Sequence, residues 1–301
     1  MSAGPNLSAD RGNRFGIGFF RLLLKLCGLR AALAFAWVVT WFYAHFDRAA
    51  FLAAAPYLKL RFPEDAASER ALKRHFHKLI RHLARVLIVS YRIGCGRKLP
   101  LEERGSENIP AAGGFVVALA HHGCWQAVME ILNLKGGRPI NVMARPDHNG
   151  NMDKFLALGG GGRDFKVIST EGFSGGLVEA SAALNRGEVV IVMADRAVEG
   201  SPKIDAEYLK GTIELPLSPW LLAAQNRVQV LPVLTDFAEK PLRAVIRYYP
   251  AIAVEGPADR RVRSADLAPA AAAYAKILEA AALEAPYSVF RFGNEKSLNM
   301  R

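Results

Sequence analysis

Two adjacent histidines make the best case for chemistry in this chain. His121 and His122 lie in ALAHHGCWQAVMEIL, where the apolar run 115–120 leads straight into them, Gly123 follows, and a helical pattern begins. A histidine at a strand end, followed by a glycine that lets the chain turn, is placed to act as a general base facing a cleft. The same residues also read as a polar loop, and the pair alone does not choose between the two. Further polar clusters follow other apolar runs, in ARPDHNG from Ala144 and ADRAVEG from Ala194. His75, His77 and His82 form another group, but Lys73, Arg74, Lys78, Arg81 and Arg85 stand among them, and neighbouring cations would repel a metal. That group reads as a solvated basic face rather than a zinc site. Cys27, Cys95 and Cys124 lack C-x-x-C spacing, so no disulfide framework or zinc cluster is indicated. The glycine run 159–162 matches no nucleotide fingerprint. No metal and no cofactor is implied.

These side chains need a scaffold, and the sequence supplies one from Gly105 onward. Short apolar runs at 115–120, 139–144, 165–169, 189–194, 228–234 and 242–249 are punctuated by glycine and separated by helical stretches. Strands alternating with helices predict an α/β fold with a mainly parallel sheet flanked by helices, and such sheets gather their chemistry at the carboxyl ends of the strands. Before it, residues 49–101 form a helical lead-in, two helices with a break at Pro63. An alanine-rich helix is expected near 269–283.

Composition bounds what the chain can meet. With 301 residues it is long enough for one large α/β domain. Thirty-nine Lys and Arg against 28 Asp and Glu give a net charge of +11, so the surface attracts anions. The basic residues are dispersed and no recognised nucleic-acid module appears, which argues against a nucleic-acid partner. At the N-terminus, residues 14–48 are apolar and rich in aromatics, interrupted by Arg21, Lys25 and Arg30. The uncharged stretch from Ala31 to Ala44 is shorter than the roughly 20 residues of a comfortable span. Residues 1–48 are therefore read as a membrane-anchoring helical segment lying in the headgroup region, and 49–301 as the α/β domain. A buried helix and a true span are the other two readings of the same stretch.

The segment around His121 resembles the signature of the glycerolipid and lipid A acyltransferase superfamily, a small or polar residue, His, four residues, then Asp or Glu. Against the lipid A form S-H-F-G-N-W-E, Ala120-His121-His122-Gly123-Cys124-Trp125-Gln126 agrees at His, Gly and Trp, and that register selects His121. Further segments follow in the family's order: Arg145, Pro146 and Asn149; Gly187, Asp195, Arg196 and Gly200; then Gly211, Pro216, Pro219 and Leu231-Pro232-Val233. The resemblance implies transfer of a fatty acyl group from acyl carrier protein or coenzyme A to a hydroxyl or amine of a lipid-like acceptor. It also implies His121 as base, and work at the cytoplasmic face of a bacterial inner membrane. Arg145, Asn149, Asp195, Arg196 and Gly211 become substrate-binding candidates, the arginines for phosphate. Structural pairing with Asp147 or Asp195 is the equal alternative for both arginines.

The family acid is Gln126 in this chain. An amide fixes the imidazole tautomer but does not stabilise the imidazolium. In a Ser-His-Asp protease that exchange costs about 10⁴ in rate, whereas Cys-His-Asn proteases work with an amide. Glu130 lies one helical turn further, about 6 Å along the axis, as a candidate replacement. Two functions compete on this point: an active acyltransferase, and a catalytically impaired relative that binds lipid or acyl carrier. A second carboxylate within about 3 Å of a His121 ring nitrogen would separate them.

Overall fold

The computed structural model describes residues 22–23, 25–94, 100–125, 137–145, 165–172, 174–197, 200–239, 242–257, 261–291 and 298–300. Gln126, Glu130 and Asn149 lie outside the described residues, as does the glycine run 159–162.

The apolar runs form the centre of a seven-stranded sheet. Among the described residues its strands are β1 (Leu101–Arg104), β2 (Phe115–Leu119), β3 (Ile140–Ala144), β4 (Phe165–Ser169), β5 (Val189–Met193), β8 (Val230–Glu239) and β9 (Leu242–Tyr248), in the spatial order β1-β9-β8-β2-β5-β3-β4. Pairing is parallel from β8 through β4, as the sequence predicts; only β9 turns back antiparallel on β8, carrying β1 parallel beside it. Strands β2 and β5 sit centrally and every residue of β2 is buried, which is why they read as unbroken apolar runs. Helices α4 (Leu177–Asn185), α5 (Ser218–Asn226) and α6 (Ser264–Glu284) pack against β3 and β5, β2 and β8, and the second sheet respectively.

That second sheet is β10-β7-β6, antiparallel, from β6 (Lys203–Tyr208), β7 (Gly211–Pro216) and β10 (Leu298–Met300). The β6–β7 connection is two residues, Leu209 and Lys210, both with positive φ, the type I′ geometry that matches strand twist. The expected helical lead-in ends sooner than residue 101: α2 (Arg48–Arg61) and α3 (Glu69–Gly94) flank a short turn at Pro63–Asp65, and Leu101 already opens a strand.

Near the N-terminus, α1 (Gly28–Phe46) lies along α3. Its buried positions are Ala32, Ala36, Thr40 and Ala44, four apart, so a stripe of small side chains lets the two helices approach closely. The other side carries exposed Phe35, Trp37, Val38, Trp41, Phe42, Tyr43 and Phe46. Among the described residues no helix is long and apolar enough to cross a membrane.

Candidate active site

Parallel pairing places Leu119 of β2 opposite Met193 of β5, and Ala194 N–H donates to the Leu119 carbonyl at 2.8 Å. Counting two residues on from each brings His121 level with Asp195. Their side chains meet: His121 Nδ1 lies 2.9 Å from Asp195 Oδ1 and 3.1 Å from Oδ2. The Asp195 side chain is 8% exposed and that of His121 25%, so the acid is enclosed while the imidazole reaches solvent. Burial alone would raise the Asp195 carboxyl. The charge and hydrogen bond of His121, then Arg196 and Arg291, outweigh it and hold the carboxyl well below the usual carboxylate range. An ionised carboxylate only accepts, so the proton of the neutral imidazole sits on Nδ1 and the lone pair on Nε2, the nitrogen left for an incoming hydroxyl. Trp125 stands edge-on to the ring at 5.7 Å between centroids.

The neighbouring residues hold this pair and take no evident part in chemistry. His122 is buried; its Nδ1–H donates to the Thr235 carbonyl at 2.8 Å, and Thr235 Oγ1 donates back to the His122 carbonyl at 2.9 Å. Gly123 adopts φ +54°, and a Cβ there would lie 2.0 Å from the Thr235 carbonyl oxygen, so glycine is needed at this crossing. Cys124 donates to the Asp236 carbonyl, and burial pushes its thiol up to about 12, which rules it out as a nucleophile at neutral pH. Behind the turn runs the segment 286–291. Ser288 O accepts from Gly123 N–H at 2.8 Å, Phe290 N–H donates to the His121 carbonyl at 2.8 Å, and the buried Arg291 donates to the Asp195 carbonyl.

The other expected residues fall into place unevenly. Asp195 was expected to bind substrate; it is turned inward onto the imidazole, with too little exposed surface for substrate. Arg196 follows it, half-buried, with Nε 3.9 Å from Asp195 Oδ2. Arg145 stands at the end of β3, next along the sheet from β5, pairing loosely with Glu171 at 3.4 Å and largely exposed. Both arginines therefore line the same strand-end edge as His121. Gly211 instead sits in the β6–β7 hairpin, paired with Tyr208 and Met300. His75 and His82, expected on a solvated face, are instead half-buried against the C-terminal segment. His75 bridges Asp65 and Tyr287, each at 2.9 Å, and His82 Nε2 donates to Ser288 Oγ at 3.1 Å. No group of three or more His, Cys, Asp or Glu among the described residues is arranged to hold a metal.

The orienting role of Asp195 and the presence of Arg291 were not read from the sequence. The signal for Asp195 was there: like His121, it stands two residues past a five-residue apolar strand. For Arg291, nothing in the local pattern separates it from a surface residue.

Residues 11–292 match the family described as bacterial lipid A biosynthesis acyltransferase. No curated protein matches the chain. Among solved structures, it is similar to the crystal structure of the 1-acyl-sn-glycerophosphate (LPA) acyltransferase, PlsC, from Thermotoga maritima. The two are 14% identical, with 84% of this chain and 96% of that one covered and a TM-score of 0.37.

Proposed function

Since the chain belongs to the family of bacterial lipid A biosynthesis acyltransferases and is a transferase of that type, we propose that it moves a fatty acyl group onto a hydroxyl or amine of a lipid-like acceptor, with His121 as the base. The single observation that carries this reading is the His121–Asp195 contact at 2.9 Å. A thioester of acyl carrier protein or coenzyme A is the donor. His121 Nε2 takes the acceptor proton as the oxygen or nitrogen attacks the thioester carbonyl, giving a tetrahedral oxyanion and an imidazolium. Asp195 fixes the tautomer and stabilises the imidazolium. Collapse breaks the carbon–sulfur bond, and the imidazolium returns its proton to the departing thiolate. Arg196 and Arg145, on the same edge, suit the phosphate of donor or acceptor.

The impaired-relative reading rested on Gln126 replacing the family acid. Asp195 supports the active reading instead, because a carboxylate stands within hydrogen-bond reach of the imidazole from a neighbouring strand.

The test is acyl transfer from carrier-protein and coenzyme A thioesters into a lipid extract. Wild type should turn over, His121→Ala should abolish turnover, and Asp195→Asn should lower kcat by up to about 10⁴, as removal of an orienting carboxylate does elsewhere. Gln126→Glu should leave the rate within a few-fold. Full activity in Asp195→Asn would refute the assignment of the acid. An inactive wild type that gains activity from Gln126→Glu would restore the impaired-relative reading.

We further propose that the chain works at the cytoplasmic face of a bacterial inner membrane. The exposed aromatic side of α1 and the net charge of +11 support this.

A further inference from the structure

The pair His121 and Asp195 is held from behind by one buried cation. Arg291 is 3% exposed. Its Nη1 donates to the Asp195 backbone carbonyl, and its Nη2 reaches the Glu214 carbonyl on β7 at 3.4 Å. One guanidinium thus spans the end of β5 and the second sheet. Its own backbone is fixed too: Val289 bridges His122, Phe290 N–H donates to His121 O, and Ser288 Oγ donates to Asp236 at 2.9 Å while accepting from His82. The segment that delivers Arg291 therefore touches both members of the pair.

Burying an arginine is costly unless its charge is met. Burial accordingly pulls the guanidinium down from its ordinary value, and the opposing attraction comes first from Asp195. The groups facing the pair are few. Arg196 adjoins Asp195 from β5, Tyr208 comes from β6 and Tyr274 from α6, while Glu214 of β7 is taken up by Lys203. Burial pushes both tyrosine hydroxyls well above their ordinary value, so they are neutral across the working range. Among the described residues, the buried charges there are the carboxylate and the guanidinium.

We propose that Arg291 is a positioning residue for the transfer reaction, locking the Asp195 backbone so that its carboxylate is held against His121 Nδ1. The inference rests on the His121–Asp195 reading above.

The experiment is steady-state kinetics on the full chain with four variants: Arg291→Lys, Arg291→Met, Asp195→Asn, and Arg291→Lys combined with Asp195→Asn. Arg291→Lys keeps the charge and loses the two-point fork; kcat should fall at least tenfold with KM within twofold. Arg291→Met, which loses both fork and charge, should lower kcat at least as far. In the Asp195→Asn background Arg291→Lys should cost little more, because Arg291 acts through Asp195. Wild-type kcat in Arg291→Lys would overturn the proposal. So would full additivity in the double variant, since a purely structural brace lowers the melting temperature without a kcat-against-KM split or coupling to Asp195. If Arg291→Met does not fold, Arg291→Lys and the double variant decide. Loss of dependence on His121 in wild type would instead overturn the reading beneath it.

Discussion

At the residue scale the site turns on one carboxylate and its enclosure. Asp195 is depressed in the folded chain, so its contribution to stability is present above the unfolded value near 4 and is lost as pH falls through the folded value below it. Urea midpoints measured from pH 7 to pH 3 should therefore drop more steeply below pH 4 in wild type than in Asp195→Asn. Identical slopes would show that the ion pair adds nothing to acid stability. Cys124 offers a control at the same turn: with its thiol near 12 and buried, it should resist alkylation at pH 8 in the native protein, while the exposed Cys27 reacts. Peptide mass mapping distinguishes the two. Prompt labelling of Cys124 would mean that the turn bearing His121 opens readily.

At the element scale, one strained hairpin and several strands show what the sequence pattern carries. Leu209 and Lys210 both adopt the left-handed region, where an L side chain costs roughly 1–2 kcal/mol. Lys210 is exposed, so Lys210→Gly should stabilise the chain by about 1 kcal/mol, seen as a higher melting temperature. A lower one would mean that the lysine makes contacts worth more than the strain. The central strands were legible because burial on both faces writes them as unbroken Val, Ile and Ala runs: 115–119, 140–144 and 189–193 stand within a residue of their predicted places. β6 was not, since KIDAEY alternates exposed and buried on a small sheet and carries three charges. β1, the four residues LEER at the sheet edge, has no buried position at all. The site was half legible for a related reason. Local pattern and resemblance mark His121, but its meeting with Asp195, 74 residues away, depends on which strands lie side by side, and periodicity does not encode strand order.

At the scale of the whole molecule, the α/β body and α1 pose a single problem of solvent. Ala32, Ala36, Thr40 and Ala44 dock the helix onto the body, so its remaining circumference is committed to something other than the core. Trp37 is 49% exposed, Trp41 46% and Phe46 66%, a larger aromatic display than a monomeric surface usually tolerates. Water makes such a face unfavourable, whereas a headgroup interface accommodates both the rings and neighbouring cations. The net charge of +11 adds a long-range attraction to anionic lipid that salt screens over about 10 Å at 0.1 M. Two terms of different origin should then separate in one cosedimentation experiment with vesicles of anionic and of neutral lipid. Raising salt should weaken binding to anionic vesicles severalfold and leave the weaker binding to neutral vesicles nearly unchanged. Replacing Trp37, Trp41 and Phe42 by serine should weaken both to a similar degree, because buried apolar area acts regardless of headgroup charge. Binding that survives this triple substitution unchanged would remove α1 from the interface and leave electrostatics alone to account for it.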